Sequence, residues 1–266
     1  MESKEKITSR YTGKHVVITF EEPLKKGDRK EVSITYRVEK VVSGLIYGGP
    51  EKNYPEEPRY LVADCETERA QYWLPCIDLP SVRTTVEWHV THEKSVVCVC
   101  NGERKGVSER EGKVTTFYSL DFPCPSYLLC FGVGEYIKYE EPKGETIPVT
   151  YYGLKGTNPE DLKRSFGETP KMIEWLEKKL GNKLPWKKYD QIIAPTHGGA
   201  MENISLVTWS PRFVVNERFA MDWKFDNPLF LFLPLPFINF DFFCGIDLLW
   251  TLLTSTRWPT ASLVTQ

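Results

Sequence analysis

Runs in which apolar and polar residues alternate recur through the first 140 residues, and no other feature restricts the chain as strongly. Val32-Ser33-Ile34-Thr35-Tyr36-Arg37-Val38-Glu39 alternates without a break, which predicts a strand with one face buried and one wet. His15 to Phe20 has the same period, with Val16, Ile18 and Phe20 on one side, and Pro23-Leu24-Lys25-Lys26-Gly27-Asp28 supplies a turn between the two. Further runs follow at Thr85–Thr91, Ser95–Cys100, Val114–Asp121 and Tyr127–Tyr136. Asn101-Gly102 is a turn signal, although the next strand is expected only several residues later. Repeated short strands with turn punctuation predict an antiparallel sandwich or a saddle-shaped sheet.

The pattern changes near Ile147. Ile147 to Gly153 reads as one more strand, and Thr157-Asn158-Pro159-Glu160-Asp161 then reads as a helix start. It has a capping Asn, Pro in the first turn, and two acids near the positive end of the dipole. Leu162, Phe166, Met172, Ile173, Leu176 and Leu180 trace an apolar stripe at helical spacing, which Pro170 should kink or break and Gly181 should end. Glu140 to Glu145 reads as a linker.

Beyond the helix, Gln191-Ile192-Ile193-Ala194 and Ile204-Ser205-Leu206-Val207-Thr208-Trp209 flank Pro195-Thr196-His197-Gly198-Gly199-Ala200-Met201-Glu202-Asn203. Two apolar runs on either side of a Gly pair predict strand, tight bend, strand. Glycines let a backbone come close to a ligand, and Glu202 is placed to meet a cation. The same stretch also suits a structural hairpin with a solvated Glu.

Charge and cysteine content exclude several classes. A net charge of −2 lacks the basic excess of a nucleic-acid binder. The polar opening, Met1 to Lys6, does not resemble a secretory signal. Seven cysteines without CxxC pairs are expected as buried thiols in a cytoplasmic setting rather than as a disulfide framework. His89 and His92, three apart on a strand, point to opposite faces. The two-residue spacing of Cys98 and Cys100 also suits zinc poorly, so no structural metal is expected there.

Several motifs, in order, resemble those of the zinc aminopeptidases, the family that includes aminopeptidase N and leukotriene A4 hydrolase. Gly199-Ala200-Met201-Glu202-Asn203 reads as the GAMEN motif. Ala70-Gln71-Tyr72-Trp73-Leu74-Pro75-Cys76-Ile77-Asp78-Leu79-Pro80 is similar to the family's AR-x-x-FPC-x-DEP signature, and Tyr127 to Tyr136 to its YLL-x-F-x-x-GE-x segment. The resemblance covers roughly residues 12–226 and implies a mixed, mainly β fold. A saddle-like antiparallel β domain over residues 1–142 would be followed by the first β/α part of a thermolysin-like catalytic domain over 143–227, with residues 228–266 as a hydrophobic tail foreign to the family. It also implies that Glu202 binds the α-amine of a peptide, and that the Gly199-Ala200 backbone runs beside the peptide as an extra strand, with Met201 and Asn203 completing the substrate-binding motif.

The departures matter as much. The family's zinc is held by HExxH on one helix and a later Glu. Here the four histidines, His15, His89, His92 and His197, form no such pair. The general base and the later oxyanion Tyr are missing with it, so no zinc is expected in this chain, although the intact family uses it. Gln71 stands where the signature has Arg, Leu79 replaces the Glu of DEP, and Asp64 stands where the family often has a Gln near the substrate amine. Pro228 to Leu253 is almost wholly apolar. It is long enough for a membrane span, but Pro228, Pro234, Pro236, Asn239, Asp241 and Asp247 oppose one. A carboxylate near a bilayer centre costs roughly 2.5–3.5 kcal/mol on insertion scales. A translated non-coding or aberrantly spliced tail, a membrane anchor and a packed core element remain three readings of it. For function, the leading expectation is an aminopeptidase-like fragment without hydrolytic activity whose partner is a peptide amino terminus. The alternative is a non-catalytic peptide- or protein-binding module of the same fold, and a tethered membrane fragment is the third.

Overall fold

A computed structural model describes residues 7–144, 147–195, 199–226 and 261–265. The apolar run 228–253 and His197 lie outside the described residues, and no described helix is long and apolar enough to cross a membrane. The chain divides into two compact units, residues 1–41 and 42–266.

In the first unit, β1 (Ile7–Tyr11) pairs antiparallel with β2 (Val16–Phe20), Tyr11 opposite Val16. Thr12 closes the turn, its amide donating to the His15 carbonyl and its hydroxyl accepting from the His15 amide, both at 2.9 Å. The strand expected at Val32–Glu39 is not formed. Ile34 and Tyr36, on its apolar face, are 40% and 46% exposed. Alternation creates a face to bury but not the ladder that makes a strand, and among the described residues no strand pairs with this stretch.

The second unit opens with β3 (Leu45–Gly48) and β4 (Tyr60–Ala63), followed by β5 (Arg83–Glu93), β6 (Val97–Cys100), β7 (Glu103–Arg110), β8 (Lys113–Pro125) and β9 (Phe131–Gly134). β3, β4, β9 and β6 form one antiparallel sheet in that order, and β5, β8 and β7 form a second antiparallel ladder. Strand β7 and the β3–β4 pair carry weak alternation and were not expected. β7 is a mostly polar outer strand that borrows its pairing from the strongly patterned β8.

A third, mixed sheet contains β10 (Tyr136–Glu140), β11 (Val149–Leu154), β12 (Tyr189–Ile193), β13 (Ala200–Met201) and β14 (Leu206–Trp209), in the order β10-β11-β12-β14-β13. β10 and β11 make an antiparallel hairpin, and residues 141–144 of the expected linker lie in its connection. The expected helix is two helices, α1 (Pro159–Phe166) and α2 (Thr169–Leu180). Asn158 caps the first, its side chain accepting from the Glu160 amide. The break follows from Pro170, which has no N–H for the carbonyl four residues back. That carbonyl, of Phe166, instead accepts from the Tyr151 hydroxyl at 2.8 Å and the Thr169 hydroxyl at 2.7 Å. Gly181 ends α2 in the left-handed conformation, φ 70°. The described part of the chain closes with α3 (Glu217–Asp226) and a short β15 (Ala261–Thr265) running parallel to β5.

The expected class, mixed and mainly β with antiparallel sheets, is the one observed. The signature around Pro75 folds as a short turn that puts Ala70, Trp73 and Leu74 in the core. Trp73 stacks with Trp88 at 6.4 Å between centroids and meets the edge of Phe131 at 5.3 Å. Asp78 locks the turn by accepting from the Gln71 amide and the Ser126 hydroxyl. Val62, Val99, Cys130, Ile192 and Leu206 form a smaller cluster that seats β12 and β14 against the β4–β9–β6 sheet. A Cβ on Gly132 would come within 2.4 Å of the Ile192 side chain, so glycine permits this close approach.

Candidate functional site

The stretch around the Gly pair is not a single strand–bend–strand hairpin. β12 and β14 run parallel, Gln191 beside Val207 and Ile193 beside Trp209. Parallel neighbours need a crossover, and Pro195 to Ser205 provides it. Within this crossover, β13 turns back antiparallel to β14, with Ala200 opposite Trp209 and Met201 opposite Thr208. The Ser210 amide extends the pairing to the Gly199 carbonyl at 2.9 Å. β13 is the last strand in the order of its sheet, so one of its backbone edges carries no strand among the described residues.

The five motif residues divide by environment. A Cβ on Gly199 would meet nothing within 4 Å among the described residues. Ala200 is half-buried, and Met201 points into the core. Asn203 is buried, with its Nδ2 3.4 Å from the Met201 carbonyl and its own carbonyl accepting from the Leu206 amide. Glu202 is half-buried. Burial, chiefly, holds its carboxyl above the ordinary carboxylate range. The negative charge of Glu66 adds to the shift, against a lowering contribution from the Glu202 amide.

Glu66 is the residue that sequence reasoning missed. Asp64, expected near the substrate amine, is buried and paired with Arg69 at 3.1 Å. Arg69 also donates to the Glu66 carbonyl. The exposed Glu66 carboxylate is therefore the one whose charge reaches Glu202. The signal was only the acidic pattern Asp64-Cys65-Glu66. On an extended segment alternate residues share a face, so the sequence offers no means of choosing Glu66 over Asp64; the Arg69 contact separates them.

A half-buried carboxylate at the end of a strand edge, with the negative charge of a second acting on it, can hold an ammonium group, since it gains charge-assisted hydrogen bonds and the repulsion between the two is relieved. Among the described residues no three His, Cys, Asp or Glu side chains converge as metal ligands. His92 has its ring nitrogens on the Glu93 carbonyl and the Thr116 hydroxyl, and His89 lies against the Phe117 ring.

Residues 2–128 match the family described as the Peptidase M1 N-terminal domain. This chain carries a peptidase M1 N-terminal domain. It is a relative of the zinc aminopeptidases that its motifs resemble, and the similarity extends past the matched domain. The chain is 27% identical over 217 residues to leukotriene A-4 hydrolase of Xenopus laevis, covering 79% of this chain and 34% of that protein. It is 27% identical over 202 residues to glutamyl aminopeptidase of Rattus norvegicus, covering 73% of this chain and 21% of that protein. With the mitochondrial aminopeptidase 2 of Saccharomyces cerevisiae it shares 28% over 170 residues, 63% of this chain and 18% of that protein. This M1 chain thus spans from under a fifth to about a third of the length of these curated relatives.

Proposed function

We propose that this aminopeptidase-like chain binds the free amino terminus of a peptide and does not cut the peptide. One observation carries the reading: the open strand edge of β13 ends at a half-buried Glu202 that has a second carboxylate, Glu66, in electrostatic reach. A peptide paired along Gly199 and Ala200 would be held by its main chain with little regard to side chains. Its ammonium group would be taken by Glu202 and Glu66. Asn203 and Met201 act from behind, one in the turn and one in the core, by holding the strand in place.

The absence of hydrolysis is read from the sequence. A metal-activated water needs about three protein ligands and an open position, and four histidines without HExxH do not provide that set. The reading needs neither a nucleic acid nor a membrane as partner. A cytoplasmic setting is supported by the six described cysteines, all free thiols, five of them buried.

The test is a titration of the chain with a short peptide and with its N-acetylated form. A charged hydrogen bond contributes about 1.5–3 kcal/mol, so acetylation should weaken binding roughly ten- to a hundredfold. Equal affinity for the two forms, or no affinity for either, overturns amine recognition. Stoichiometric zinc with chelator-sensitive turnover of aminoacyl reporters would overturn the claim that the chain does not cut.

A further inference from the structure

Glu202 stands in an arrangement that is uphill without a bound cation. Its carboxyl is partly withdrawn from water and feels the negative charge of Glu66, and a free side chain would relieve both by swinging outward. Hydrogen bonds hold the turn that follows it, from Glu202 to Ser205.

The bonds that do so come from elsewhere in the unit. Asn101, between β6 and β7, is fully buried and uses its whole side chain. Its Nδ2 donates to the Ile204 carbonyl at 2.6 Å and the Leu128 carbonyl at 3.2 Å, while its Oδ1 accepts from the Cys130 amide. The next amide, of Gly102, donates to the Ser205 hydroxyl at 2.7 Å. The Ser205 carbonyl accepts from the Lys188 ammonium at 3.1 Å and the Asp190 amide at 3.0 Å. Ser205 has φ 60°, a left-handed conformation that a non-glycine residue keeps only where its surroundings over-determine it. The turn is thus bonded on one side to the Asn101-Gly102 corner and on the other to the Lys188–Asp190 segment.

We propose that Asn101 is a positioning residue for Glu202: by fixing the Ile204 carbonyl, with Gly102 fixing Ser205, it holds the amine-binding carboxylate at the edge of β13. This deepens the amino-terminus reading and rests on it. Asn101 touches no ligand and acts through the backbone two residues beyond Glu202. If the turn moved, the Leu128 bond would remain but the buried Ile204 carbonyl would lose this donor, which penalises displacement.

The test uses the full chain with Asn101→Ala, Ser205→Ala and, as a control for lost stability, Val86→Ala, a core truncation in β5 outside this bonded set. Two quantities are read. One is the ratio of affinities for a free-amine peptide and its N-acetylated form. The other is the titration of the Glu202 carboxyl by carbon NMR, assigned with Glu202→Gln. The Asn101 and Ser205 variants are expected to lose at least about tenfold in the ratio, and their Glu202 carboxyl should titrate closer to an ordinary Glu. Val86→Ala should keep both parental values even where it lowers Tm as much. Parental titration and parental ratio in both variants overturn the proposal. If Asn101→Ala does not fold, Ser205→Ala decides by the same criteria. If the parent chain shows no amine preference, the amino-terminus reading falls by itself and the Glu202 titration alone decides whether Asn101 positions it.

Discussion

At the scale of single residues, the raised carboxyl of Glu202 makes a prediction that needs no ligand. Its first cause is burial and Glu66 contributes further, which together hold it above the 4.5 of an ordinary Glu. A carboxyl raised in the folded state keeps its proton to higher pH than in the unfolded chain. Stability therefore falls as pH rises from the ordinary value through the raised one, and is level above it. Glu202→Gln removes this cost, so its Tm should exceed that of the parent at neutral pH, with the difference closing below the ordinary carboxylate range. Thermal melts across pH 3 to 8 would check this; a gap that widens on acidification contradicts it. The same residue that costs stability is the one read as recognising the amine, a common trade at binding sites.

At the scale of elements, two glycines with similar dihedrals carry different loads. Gly181 ends α2 at φ 70° with open space where a Cβ would stand. Gly102, at φ 83°, would put a Cβ 2.2 Å from the Ser119 carbonyl oxygen, within the β7–β8 ladder. Gly181→Ala should cost about 1 kcal/mol, the conformational penalty alone. Gly102→Ala adds a clash with backbone that cannot yield cheaply, and should cost at least about 2 kcal/mol. Urea unfolding of the two variants distinguishes them, and equal losses would mean that the β6–β7 corner is more pliant than its contacts imply. The Asn101-Gly102 dipeptide reads as a turn from sequence, but its buried Asn does something other than shape a loop. The split of the helix at Pro170 and the cap at Asn158 were both legible, because those effects are local. The parallel pairing of β12 with β14 was not, because both runs are equally apolar and nothing in them encodes direction.

For the whole molecule, burial governs the thiols. It pushes Cys65, Cys76 and Cys124 up to about 12 and raises Cys100 and Cys130 well above the ordinary thiol value. At pH 8 a thiol of pKa near 12 is ionised to only about one part in ten thousand, and the thiolate is the reactive form. These five cysteines should therefore resist alkylation in the native chain for far longer than in denaturant. Peptide mapping by mass spectrometry would show it, and rapid native labelling at Cys65 or Cys130 would mean that the sheets around them open readily. Such protection needs the second unit as a packed whole, since these cysteines come from four separate segments between residues 65 and 130.

What the sequence by itself determined were the features written in adjacent residues. They are the mainly β class, the helix start and break, the family resemblance, the lack of HExxH, and the motif Gly199–Asn203 with Glu202 at its centre. Each depends on local propensity, or on a motif short enough to be read in one stretch. The tertiary structure decided what depends on partners. It left Val32–Glu39 without a ladder, and it placed β13 at a sheet edge rather than in a hairpin with β12. It also gave Asp64 to Arg69 and left the Glu66 charge to act on Glu202, and it brought Asn101 under a turn 103 residues away. Alternation and charge state what a residue needs. Only the folded chain settles which neighbour supplies it, because hydrogen-bond partners and like-charge contacts are set by distances across the core.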